Sequence, residues 1–144
     1  MTKENLKIIL DGVRQNYNTI TDADNVIDGK SGTLAGIEIA FMAGYAAFLS
    51  DNLICSDILG LVIMGISTAL LIFAMWPRTY LPIAVDPEEH LDYLDMPEEE
   101  LLKQSISDAQ YALSQKRTVA GRKASAYEAA LILLLFSVFI LIFI

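Results

Sequence analysis

The sequence predicts an all-α integral membrane protein, with three transmembrane helices plus two cytoplasmic amphipathic helices. Three observations predict it. Residues 31–50, 58–76 and 124–144 are apolar runs, and about 20 helical residues at roughly 1.5 Å each cover the ~30 Å hydrocarbon core of a bilayer. All ten Lys and Arg lie on one side of those runs. Residues 131–144 carry Ser137 as their only polar side chain, whereas a helix on the surface of a soluble protein needs a polar face.

The basic residues set the orientation. Lys3, Lys7, Arg14 and Lys30 precede the first run, and Arg78, Lys103, Lys116, Arg117, Arg122 and Lys123 lie between the second and the third. The turn at 51–57 has none. Cytoplasmic segments collect Lys and Arg, so the N-terminus is expected inside and the C-terminus at the outer face. Four segments follow: an N-terminal cytoplasmic amphipathic helix at 1–27, a transmembrane hairpin at 28–76, a cytoplasmic acidic loop and helix at 77–123, and a third transmembrane helix at 124–144. The charged N-terminal region does not read as a cleaved signal peptide.

The first segment has helical periodicity, with Leu6, Ile9, Leu10, Val13, Tyr17 and Ile20 on one face. Thr2 is a candidate N-cap. Residues 21–25 favour turns and are expected to interrupt the helix before Asp28.

In the first span, Gly32, Gly36, Ala40 and Gly44 recur every fourth residue. Such a small-residue ladder lets another helix approach closely, either the second span or another subunit. Gly65 and Ala69 offer a similar pair on the second span. The span also carries one acid, Glu38, about 12 Å beyond Lys30 at 1.5 Å per residue. An intramembrane acid must face protein or water, and it is a functional candidate. Ser67 and Thr68 of the descending span lie at a matching depth and are its expected hydrogen-bond partners. Two roles stay open: a protonated carboxyl gluing helices together, or a group lining an ion or proton path.

The connecting loop is acidic. It holds Asp86, Glu88, Glu89, Asp92, Asp95, Glu98, Glu99, Glu100 and Asp108, in a chain of net charge −8. An acidic segment stands off an anionic leaflet, and it is not a nucleic-acid surface. Pro97 and Glu98–Glu100 suit a helix start, with Arg117, Arg122 and Lys123 at the far end. Leu102, Ile106, Ala109 and Leu113 form its apolar stripe. This helix is expected to run into the third span with a bend at Gly121. The two amphipathic stripes are expected to cover each other. Glu128, near the inner interface, reads as a snorkelling or paired acid.

No catalytic arrangement is apparent, and the chain is not read as an enzyme. Gly29-Lys30-Ser31 matches the end of a P-loop, but Asp24 stands where its leading Gly belongs. His90 and Cys55 are single, so one chain assembles neither a zinc site nor a Cys–His pair. No metal or cofactor is expected. Cys55, in the outer turn, could form an intersubunit disulfide under oxidising conditions or stay a lone thiol.

The order of parts resembles a known family. An amphipathic helix leads into Asp28-Gly29-Lys30-Ser31-Gly32-Thr33-Leu34. A short turn and a second span ending in Trp76-Pro77-Arg78 follow. A helix containing Ala112-Leu113-Ser114-Gln115-Lys116 then leads through Arg122-Lys123-Ala124 into a last span. This resembles the small membrane effectors of bacterial anti-phage nucleotide signalling, the transmembrane Pycsar effectors and related SLATT-type modules. Many members carry Ala where this chain has Ser31, and Glu38 has no counterpart in the pattern. The resemblance implies a multi-pass protein of the bacterial inner membrane that is silent until infection. A signal then drives oligomerisation or rearrangement of the spans and impairs the membrane. The implied partners are the lipid bilayer, further copies of the chain in a homo-oligomer, and a cyclic nucleotide. Lys116, Arg117, Arg122 and Lys123 are the only basic cluster for its phosphate, and anchoring at the inner interface is their competing role. Two other functions compete: an accessory membrane subunit docking a larger partner through its cytoplasmic helices, and an ion or proton path around Glu38.

Overall fold

The computed structural model describes residues 3–48, 55–76 and 96–143. They form three helices: α1 (Lys3–Phe48), α2 (Cys55–Met75) and α3 (Glu98–Phe143). Each contains a stretch long and apolar enough to cross a membrane. Thr2, the acidic stretch 86–95 with His90, and turn residues 51–54 lie outside the described residues.

The two amphipathic helices expected at the N-terminus and before the third span are not separate elements. Each is the first half of a 46-residue helix that continues into an apolar stretch. In α1 the turn-favouring residues do not break the helix, because their side chains are engaged elsewhere. The Thr19 and Thr21 hydroxyls donate to the carbonyls of Gln15 and Tyr17 one turn back, and Asp24 and Asp28 are held by Lys123. With those competitors removed, extending an existing helix costs little. In α3 the helix runs uninterrupted through Gly121, and it starts on the Pro97 carbonyl, which accepts from the Glu100 and Leu101 N–H groups.

The chain divides into two compact units. The first comprises the described parts of residues 1–23 and 78–120. Leu6, Leu10 and Val13 of α1 and Leu102 and Ala109 of α3 are buried together there, with Ile106 and Leu113 against them, so the two stripes cover each other. Ile9, at the edge of the predicted face, is exposed. Lys3 pairs with Glu98, and Lys116 Nζ lies 4.4 Å from the centroid of the Tyr17 ring. The start of α1 meets the start of α3, so they run parallel.

The second unit comprises residues 24–77 and 121–144 where described. Its three helices contain an apolar layer of Ala35, Leu71 and Ala130, with Leu34, Leu70 and Tyr127 packed on it. Its outer surface is also apolar: Ile37, Phe41, Val62, Ile66, Ile132 and Leu135 are all exposed.

Candidate functional site

The buried face of each long helix follows a seven-residue step. On α1 it passes through Leu10, Tyr17, Asp24, Ser31, Glu38 and Tyr45; on α3 through Leu102, Ala109, Lys116, Lys123, Ala130 and Ser137. A period of 3.5 residues keeps one seam of a helix turned toward its neighbour. Within the second unit this seam is largely polar, which makes it the candidate site.

At the first level Lys123 is 1% exposed. Its ammonium donates to Asp28 Oδ1 at 2.8 Å and Oδ2 at 3.0 Å, and it lies 3.2 Å from Asp24 Oδ1. Asp24 is buried, and Asp28 is partly exposed. A charge out of water is tolerated only when paired and hydrogen-bonded, and two carboxylates one helical turn apart meet that need. Ser31 lies one turn further on. It is fully buried, and its hydroxyl has no hydrogen-bond partner among the described residues.

Beyond the layer of Ala35, Leu71 and Ala130 lies Glu38, 1% exposed. Both expected partners reach it: Ser67 Oγ is 2.8 Å from Oε1 and Thr68 Oγ1 2.6 Å from Oε2. Ser67 Oγ is also 2.9 Å from the Ala130 carbonyl of α3, and Thr68 Oγ1 is 3.0 Å from the Met64 carbonyl. Each hydroxyl has one proton and two acceptors. Ser67 thereby connects Glu38 of α1, its own helix α2 and the Ala130 carbonyl of α3. At the far level, the Tyr45 hydroxyl donates to Asp57 Oδ1 at 2.8 Å.

The remaining sequence candidates fall differently. Within its helix unit Gly32 faces the end of the Met75 side chain at 3.5 Å, while a Cβ at Gly36 or Gly44 would meet nothing within 4 Å, and Ala40 is exposed. Most of the ladder is therefore bare within one chain. Gly65 meets nothing within 4 Å either; the close approach of α2 to α3 is at Gly60, where a Cβ would stand 2.5 Å from Leu141 Cδ2. The basic cluster divides: Lys116 and Lys123 are buried on the seam, whereas Arg117 and Arg122 are exposed. A phosphate could meet only the latter two, which at about 100° per residue do not share a face. Glu128 is exposed, and Cys55 is an exposed free thiol.

Sequence reasoning found Glu38 and its partners but missed Asp24, Asp28 and Ser31 as inward residues, Lys123 as the partner of the two acids, and Gly60. The seven-residue recurrence of Tyr17, Asp24, Ser31, Glu38 and Tyr45 is the signal that would have found Asp24 and Ser31. Among known proteins, no family model, curated sequence or solved structure matches this chain.

Proposed function

We propose that this chain is a three-pass membrane effector: a signal received by the paired starts of α1 and α3 rearranges the polar seam of the spans and makes the membrane leaky. The observation that carries the reading is the inversion within the second unit, polar inside and apolar outside, on the two helices that also form the first unit. A 46-residue helix measures about 70 Å at 1.5 Å per residue, more than twice the hydrocarbon core. The 21-residue α2 matches that core at about 31 Å. Lipid outside the second unit and water outside the first would account for both surfaces.

In this reading the quiet state is closed, because Ala35, Leu71 and Ala130 form a dry layer between the Lys123 cluster and Glu38. Sliding or rotating α3 against α1 would break the contacts of Lys123 and Ser67 together and expose ionised and hydrogen-bonding groups to any water that enters. The cytoplasmic N-terminus is part of this proposal on the strength of the basic-residue asymmetry, and the bacterial inner membrane and anti-phage setting on the strength of the family resemblance. Within the 116–123 basic cluster a phosphate-bearing signal would act through Arg117 or Arg122, since Lys116 and Lys123 face inward. The second reading, a proton path through Glu38, is favoured by the Glu38–Ser67–Ala130 connection.

The test is membrane potential in bacteria carrying the gene, followed by a voltage-sensitive dye through phage challenge. Depolarisation that depends on the protein supports the effector. A potential that never differs from control cells, or a protein recovered in buffer without detergent, refutes it. Glu38→Gln should alter conductance in liposomes only if the proton path is right.

A further inference from the structure

Between α1 and α3 of the second unit runs an open groove of about 360 Å³, lined by Gly29, Lys30, Thr33, Leu34, Ile37, Tyr127 and Leu131. Its lining is graded along the helices. Lys30 and Thr33 stand at one end, with Gly29 leaving open space beside them, and Leu34, Ile37 and Leu131 follow toward the other. Ile37 is seven residues beyond Lys30, about 10 Å deeper at 1.5 Å per residue.

Two donors are available at or near the polar end. Lys30 is exposed and, unlike the neighbouring Lys123, whose charge is met by Asp24 and Asp28, forms no ion pair within 4 Å among the described residues. The Tyr127 hydroxyl has no hydrogen-bond partner among them. Thr33 contributes no proton, because its hydroxyl donates to the Gly29 carbonyl at 3.0 Å. A cationic head joined to an apolar trough is complementary to a molecule with an anionic head and a hydrocarbon tail.

The geometry points to a site for one anionic phospholipid of the inner leaflet, its phosphate on Lys30 and Tyr127 and one acyl chain along Leu34, Ile37 and Leu131. This rests on the membrane reading above. The cation is where that reading places the inner interface, and anionic headgroups are concentrated there. The lipid would lie across the α1–α3 contact on the side where Lys30 emerges, so it would hold together the two helices whose relative movement opens the seam.

The experiment is native mass spectrometry of the full chain released from nanodiscs containing equal amounts of phosphatidylglycerol and phosphatidylcholine. The wild type is expected to retain one phosphatidylglycerol about fivefold more often, the preference that one Lys near an anionic surface provides. Lys30→Gln should bring the two lipids to parity, and Lys30→Arg should keep the preference. Ile37→Trp, which fills the trough, should lower retention of both. Parity in the wild type, an unchanged preference in Lys30→Gln, or full displacement by inorganic phosphate would overturn the site. Resistance of the protein to carbonate extraction from membranes is scored separately. Failure there removes the membrane reading itself, whereas parity with resistance removes only the lipid site.

Discussion

The two long helices run through both units, joined in the second by α2, yet the units are packed by opposite rules. In the first, Leu6, Leu10, Val13, Leu102 and Ala109 are inside, and Lys3, Lys7, Glu98, Glu99 and Lys103 stand outside in ion pairs. In the second, Asp24, Ser31, Glu38, Ser67, Thr68 and Lys123 are inside, and Ile37, Phe41, Val62, Ile66, Leu135 and Phe139 are outside. The seven-residue step is common to both. In water, burying apolar area is the main gain of packing. In lipid that gain vanishes, and contact is driven by close fit and by polar groups that find no partner elsewhere. The seam stays while the chemistry on it is exchanged, as the proposed passage of the helices from water into lipid would require.

The strongest way to break this comparison is at Lys123. Lys123→Met removes the cation that Asp24 and Asp28 share, and removing one partner of a buried pair costs about 3–5 kcal/mol. The loss should be visible as a lowered midpoint in denaturing-detergent titration. The triple variant Lys123→Met, Asp24→Asn, Asp28→Asn should recover most of it. A single variant as stable as wild type would show that the seam charges do not hold the spans.

Leu10→Ala addresses the first unit. A buried Leu truncated to Ala costs about 2–5 kcal/mol, and hydrogen exchange should locate the loss in residues 3–23 and 98–120. Amides of residues 55–75 should keep their protection; if they lose it equally, the two units are one cooperative body.

Gly60→Ile probes the close approach in the second unit. Its first added carbon meets Leu141 at 2.5 Å, and overpacking of this kind costs about 1–3 kcal/mol. Gly65→Ile, in open space, should cost far less by the same titration. At Glu38 the effect is smaller: hydrogen bonds between helices in lipid average about 0.6 kcal/mol each, so Glu38→Leu should lose about 1 kcal/mol and Glu38→Gln less.

The smallest effect is that of pH on the first unit. Glu98 is held below the ordinary carboxylate range, first by its hydrogen bond from Lys3, then by the charges of Lys3 and Lys7. Glu99 is lowered by Lys103, and Lys103 is raised by Glu99. A lowered carboxylate stabilises above its unfolded value and loses that contribution as pH falls through the folded one. A raised Lys stabilises below its unfolded value and loses it as pH rises through the folded one. The first unit should therefore loosen slightly in acid and again in strong base. All three groups are exposed, so amide exchange is the measurement sensitive enough to see it, and a pH-independent profile would show that these pairs contribute nothing.

How much of this was legible beforehand differs between residues. Glu38 stood out because an acid inside an apolar run has few acceptable surroundings, and Ser67 and Thr68 followed from matching depth on an antiparallel hairpin. Asp24 and Asp28 did not stand out, since Asp24 falls in the turn-favouring stretch 21–25 and Asp28 in the polar entry to the first span. Only the approach of Lys123, nearly a hundred residues away in the chain, turns them inward and keeps α1 helical there. Lys116 and Lys123 read as part of a basic cluster with Arg117 and Arg122, because proximity in sequence does not tell which cations lie on a helix's buried side. The four-residue spacing of small residues selects Gly65, whereas the close contact is at Gly60, because it depends on which face of α2 meets Leu141.

By itself, the sequence determined three apolar helical stretches, the side on which their basic residues fall, and one acid placed where it needs partners. Those properties belong to single segments: composition, length and local periodicity suffice for them. Tertiary structure alone decided that the first amphipathic helix and the first span are one long helix, that polar residues on either side of the Ala35, Leu71 and Ala130 layer share one seam, and that most of the glycine ladder is bare within one chain. Each of these depends on which helix lies against which and in what register, and register is set by contacts between residues far apart in the chain.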